Sequence, residues 1–165
     1  MRLSIVRTIG HIVDLKSYNV QEVGLGKALC DRGFDVQVYF ASSGRELRKI
    51  TVKRSGRLLE LIFLPFIKLP GKNAIFRGVY KELKRFEPDI IQIHECTQLM
   101  SLAISLYAKF KGIPVVLYQG QYQYPPNVYF KIIQKIYDGS FGILQRSLVF
   151  QSIAKTAHAK KFLSR

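Results

Sequence analysis

The residues with the greatest chemical reach are His94 and Glu95, adjacent at the end of the apolar run Ile90–Ile93. An imidazole at such a strand end can orient or polarise a hydroxyl, and a carboxylate can hydrogen-bond a sugar-like polyol. A second cluster follows the next apolar run: Tyr118-Gln119-Gly120-Gln121-Tyr122-Gln123-Tyr124. Glutamine offers both a donor and an acceptor, and tyrosine a flat face with a hydroxyl, which suits a carbohydrate or nucleoside. The plainer readings are a hydrogen-bonded structural histidine and a surface loop before a helix.

Other spacings point away from chemistry. His11, His94 and His158 are scattered and lack metal-ligand spacing, so no metal is expected. Glu87 and Glu95 flank one strand and stand more than about 20 Å apart at the rise of an extended chain, too far to share a substrate atom. Gly24-Leu25-Gly26 resembles part of a dinucleotide fingerprint, but Leu29 takes the third glycine position and the pair lies inside a helix. Close packing of that helix on a sheet is the expected role. Cys30 and Cys96 have neither disulfide-framework nor zinc spacing, which fits a reducing compartment.

Strands and helices must alternate to place these groups. Strands are expected at Leu3–Ile9, Asp35–Phe40, Asp89–His94, Pro114–Gln119 and Ser147–Gln151. A hairpin is expected at Ile50–Arg54 and Arg57–Leu64 around Ser55-Gly56. Helices are expected at Asn19–Arg32, with Asn19 as N-cap and Glu22 completing a capping box, and at Asn73–Phe86, Thr97–Lys111, Tyr129–Tyr137 and Ile153–Leu163. The pattern predicts one α/β domain over residues 1–165: a Rossmann-like, mostly parallel sheet with helices on both faces and a β-hairpin insertion. Ligands of such sheets bind beyond the carboxyl ends of the strands. The expected rim is Thr8–His11, Ala41–Ser43, His94–Gln98, Gln119–Gln121 and Gln151–Ser152.

The chain of 165 residues is 48% apolar, enough for one core, and its net charge of +15 suits anionic partners. Basic residues number 17 against 10 acidic in residues 1–95, and 9 against 1 in residues 96–165. Helix Asn73–Phe86 sets Phe76, Val79, Tyr80, Leu83 and Phe86 at helical spacing, with Lys72, Arg77, Lys81, Lys84 and Arg85 around them. That pattern fits docking on an anionic membrane, or else a core-facing helix with a solvated charged face. No run is long and apolar enough for a spanning helix, and the amino terminus reads as a strand rather than a signal peptide. A nucleic-acid module is the competing class, but recognition motifs for it are lacking.

Residues 22–38, EVGLGKALCDRGFDVQV, resemble the first helix and second strand of the group 1 glycosyltransferases. Leu25, Leu29, Gly33 and Val36 occupy that family's spaced positions. EPDIIQIHEC at 87–96, GIPVVLYQG at 112–120 and SLVFQSIAKTAHAKKFL at 147–163 resemble later family segments in the right order. The resemblance implies the N-terminal, acceptor-binding half of a two-domain GT-B fold, with the donor domain absent. It also implies a retaining, metal-independent transfer from a nucleotide-sugar co-substrate to an acceptor sugar or lipid-linked glycan. Acceptor contacts are then expected from Gly10, His11, His94, Glu95, Gln119, Gly120 and Gln121, and a cytoplasmic location, peripheral at the inner face of the membrane. Two departures stand out. Only Gly10 remains of the family's glycine loop, and Gln119-Gly120-Gln121 replaces a histidine many members carry; glutamine cannot act as a general base. A non-catalytic subunit is the alternative.

Overall fold

The computed structural model describes residues 1–15, 20–70, 73–120 and 127–163. Its elements are β1 (Arg2–Val6), α1 (Gln21–Cys30), β2 (Asp35–Ser42), β3 (Arg48–Arg54), β4 (Arg57–Lys68), β5 (Ala74–Phe76), α2 (Val79–Phe86), β6 (Ile90–His94), α3 (Leu99–Lys111), β7 (Val115–Gln119), α4 (Val128–Tyr137), a π-helical turn (Asp138–Gly142), α5 (Ile143–Leu148), β8 (Gln151–Ala154) and α6 (Ala157–Leu163).

The sheet runs in the order β3-β4-β2-β1-β6-β7-β8, with β5 paired to β4 off this path. Every pairing from β4 to β8 along the path is parallel; β3 and β5 join β4 antiparallel. The chain leaves β1 toward β2 and later returns to its other side at β6, so the topological switch point lies between β1 and β6.

Strand alternation divides the core in two, because successive side chains leave opposite faces of a strand. Leu3 and Ile5, Val36, Val38 and Phe40 form one cluster under α1. Val6, Tyr39, Ala41, Ile91 and Ile93 form the other, covered by Val79 and Leu83 of α2 and by Met100, Ile104 and Ala108 of α3. The α3 residues recur every fourth position, which keeps them on one helix face. Ile104 is fully buried there, so Ile104→Ala would cost about 2–5 kcal/mol. Residues 100–108 of α3 are all buried or half-buried, and exposure is confined to its ends, where Phe110 is 86% exposed.

Local chemistry explains the breaks. Ser55 (φ 51°) and Gly56 (φ 73°) make the two-residue turn between β3 and β4, left-handed at both positions as a twisted hairpin requires. Gly26 lies against the sheet: a Cβ there would come within 2.8 Å of Leu59 Cδ1. Gly24 is exposed with open space around it, so only one glycine of the pair serves packing.

Three expected elements differ. Residues 73–86 are not one helix, because Ala74–Phe76 extends along Phe66–Lys68 and Gly78 turns left-handed (φ 82°) before α2 starts. An open β4 edge offers the backbone hydrogen bonds that side-chain periodicity does not report. Ser147 and Leu148 end α5, and the last strand is Gln151–Ala154. Ile153 belongs to that strand, and the last helix begins at Ala157. The rim at β8 is therefore Ala154 onward, not Gln151–Ser152.

Candidate functional site: the carboxyl rim at the switch point

Glu95 is the centre of the rim. It follows β6 directly and has a left-handed backbone, φ 65°, which a residue with a Cβ adopts only where its surroundings enforce it. Its N–H donates to the Tyr118 carbonyl at 3.0 Å. Its carboxylate accepts from Gln119 Nε2 at 2.9 Å and from the Gly120 N–H at 3.2 Å. Gln119 Oε1 in turn accepts from the Cys96 N–H at 2.9 Å. Gly120 fits this arrangement closely, since a Cβ there would lie 3.1 Å from Glu95 Oε1.

The bend is braced from beneath. Ser101 Oγ lies 2.7 Å from the Glu95 carbonyl and 3.0 Å from that of His94. Thr8, just past β1, donates to the same His94 carbonyl and sits 2.8 Å from Ser101 Oγ. The end of β6 is thus tied to the end of β1 at the switch point, where open parallel sheets receive ligands.

His94 faces the other way. Its Nδ1 lies 3.4 Å from Glu22 Oε1 of α1, and its Nε2 lies 3.0 Å from Gln92 Nε2. An Nδ1–H tautomer satisfies both contacts, donating to the carboxylate and accepting from the amide. Burial lowers the His94 pKa to about 4; Glu22 opposes that shift and Arg7 adds to it. A neutral imidazole with both nitrogens engaged braces α1 against β6 instead of serving as a base. Glu22, expected in a capping box with Asn19, is buried and reaches His94 and Arg7 Nε (3.6 Å). Asn19 lies outside the described residues. Cys96 is buried, and burial pushes its thiol up to about 12, too high for a nucleophile at neutral pH.

Gly10 and His11 follow Thr8 on the stretch after β1. Gly10 is a packing glycine: a Cβ there would fall 2.9 Å from Ala74 Cβ and 3.2 Å from the Asn73 carbonyl. His11 is exposed beside it. Gln121 lies outside the described residues, as do Lys72 and the Tyr122–Pro126 stretch. Arg77, Lys81, Lys84 and Arg85 are exposed; Arg85 pairs with Glu82 at 2.8 Å and lies 3.9 Å from Glu60. Glu87 pairs with Arg2 at the opposite end of β6 from Glu95.

Three groups escaped the sequence reading. Asn73 Oδ1 accepts from the Leu99 N–H at 2.9 Å and caps α3. Ser101, which the sequence did not single out, supports the rim. A cleft of about 710 Å³ at the end of β2 carries Arg45 and Arg48, the latter 4.4 Å over the Phe63 ring. A Ser-Gly-Arg turn after a strand was the available signal for it.

The family model described as Glycosyltransferase Family 4 matches residues 23–140. The chain belongs to glycosyltransferase family 4. Among solved structures, the fold is similar to a chain described as trehalose-6-phosphate from E. coli bound with UDP-2-fluoro glucose, with a TM-score of 0.58 and 14% identity. That match covers 99% of this chain and 42% of the other, so the family 4 chain has the fold of one half of a GT-B enzyme. A second similar structure is an α,α-trehalose-phosphate synthase (UDP-forming) from Burkholderia xenovorans in complex with glucose-6-phosphate. It shows 11% identity, a TM-score of 0.49 and coverage of 99% of this chain and 43% of that one. No curated protein matches. Among the described residues of the family 4 chain, no helix is long and apolar enough to cross a membrane, and no cluster of side chains is set to hold a metal ion.

Proposed function

We propose that this family 4 chain is the acceptor-binding, N-terminal half of a GT-B glycosyltransferase. A second half supplies the nucleotide-sugar donor, and the sugar passes to an acceptor hydroxyl held on the carboxyl rim. The observation that carries the reading is the strained Glu95, locked by Gln119 and Gly120 at the switch point. A fixed carboxylate beside an amide and a backbone turn is suited to accept and orient sugar hydroxyls before reaction, the positioning that lowers the entropic part of a barrier. Cys96 is poised as a buried thiol and His94 as a neutral brace, so neither is assigned a catalytic role. The 165-residue chain alone binds acceptor and does not turn over. The acceptor is a sugar or lipid-linked glycan, and the exposed Arg77, Lys81, Lys84 and Arg85 draw the protein to the anionic cytoplasmic face where such lipids lie.

Saturation-transfer NMR with a panel of mono- and disaccharides tests the assignment. Transfer to sugar ring protons is expected with the intact chain and is lost in Glu95→Ala, whereas a nucleotide sugar receives none. Transfer confined to the nucleotide sugar would reverse the assignment of the two halves.

A further inference from the structure

The segment from α4 to α5 is built inside out. Its buried residues are Gln134, Gly142 and Gln145. Val128, Ile132, Ile136, Phe141 and Ile143 are instead each more than half exposed. Val128, Ile132 and Ile136 recur every fourth residue, so they form one stripe along the helix. Gln134 Nε2 donates to Asp138 Oδ1 at 3.1 Å, and the half-buried Tyr137 hydroxyl lies 3.1 Å from the Gln98 carbonyl and 3.3 Å from Gln145 Oε1, while Gln145 Nε2 is buried with no hydrogen-bond partner among the described residues. A helix on a water-soluble domain normally turns its apolar stripe inward. Beside this one runs an apolar groove of about 450 Å³, whose lining includes Leu69, Pro70, Leu99, Ile133, Ile136 and Phe141. Lys131 and Lys135 are exposed on the same helix.

We propose that this face docks on an anionic lipid bilayer. Ile132, Ile136 and Phe141 enter the boundary between headgroups and acyl chains, and Lys131 and Lys135 meet the phosphates. Charge selects this occupant. Residues 96–165 carry nine basic side chains and one acidic one, so the apolar stripe sits in a positive field. A second copy would bring like charge against like charge across the same face, in a chain of net +15. Helix α2 cannot supply the inserting part, because its Val79 and Leu83 are wholly committed to the core. The proposal goes beyond the acceptor assignment and stands without it.

The 165-residue chain contains no tryptophan, so Ile136→Trp places a single reporter in the stripe. Vesicles of phosphatidylcholine alone and of phosphatidylcholine with phosphatidylglycerol are the probes. A blue shift of the Ile136→Trp emission with the anionic vesicles only is expected. Sedimentation with those vesicles should fall at least about tenfold in Ile132→Asp/Phe141→Asp, whose circular dichroism stays native, and less in Lys81→Glu/Lys84→Glu, where only screened charge is lost. The proposal is overturned if the tryptophan emission does not move while the protein sediments with vesicles, or if the double aspartate variant binds as well as wild type. It is equally overturned if the chain is a dimer in sedimentation equilibrium that this variant dissociates. None of these readouts involves sugar binding, so a failed acceptor assignment leaves them unaffected.

Discussion

Gln119 holds Glu95 and the backbone beyond it in one clasp. Its Nε2 donates to Glu95 Oε2 at 2.9 Å, and its Oε1 accepts from the Cys96 N–H at 2.9 Å. Both ends of one fully buried amide are used, so the side chain sets the direction in which the Glu95 carboxylate points.

Gln119→Ala should therefore cost about 1–3 kcal/mol, because the Cys96 N–H is left buried without its acceptor. Urea unfolding at neutral pH measures this. Gln119→Glu should be no better than the alanine variant at neutral pH, since it sets a second carboxylate against Glu95. A neutral-pH stability equal to wild type in Gln119→Glu would show that the clasp carries no energy.

Glu95 separates strain from side-chain function. With φ at 65°, Glu95→Gly should retain about 1 kcal/mol more stability than Glu95→Ala, because glycine relieves the left-handed backbone. Both variants should lose saturation transfer to acceptor sugars. Thermal melts of the pair read the first effect and NMR the second.

Acid should loosen the fold through His94. Burial lowers its pKa to about 4 from the ordinary 6.5. Between those values the unfolded chain binds a proton that the folded chain refuses, so stability is full above about pH 6.5 and falls as pH drops toward 4. The contribution is about 3 kcal/mol across that window. His94→Gln, though less stable at neutral pH, should show a flatter dependence in urea titrations between pH about 4.5 and about 7.5. An unchanged slope would remove His94 as the source.

Two glycines should respond with opposite sign. Gly10→Ala forces its methyl against Ala74 and the Asn73 backbone and should cost about 1–3 kcal/mol. Gly24→Ala enters open space on an exposed helix face and should add about 0.5–1 kcal/mol through helix propensity. Denaturant midpoints of the two variants settle both.

The residues themselves carried the strand–helix alternation, the turn at Ser55-Gly56 and the cluster of polar groups after β6 and β7. These are local properties: apolar periodicity and turn chemistry report burial and backbone conformation within a few residues. Tertiary structure alone decided the partners. The sequence marked His94 as a strand-end histidine, but not its partner Glu22, which α1 brings to it from more than 70 positions away in the chain. Residues 73–76 looked helical and became a strand because β4 had an unpaired edge. Residues 129–137 were legible as a helix, but that its apolar stripe is exposed while Gln134 is buried was not, because no described element lies over that stripe. Periodicity tells which side chains share a face; only the packed topology tells what, if anything, that face meets.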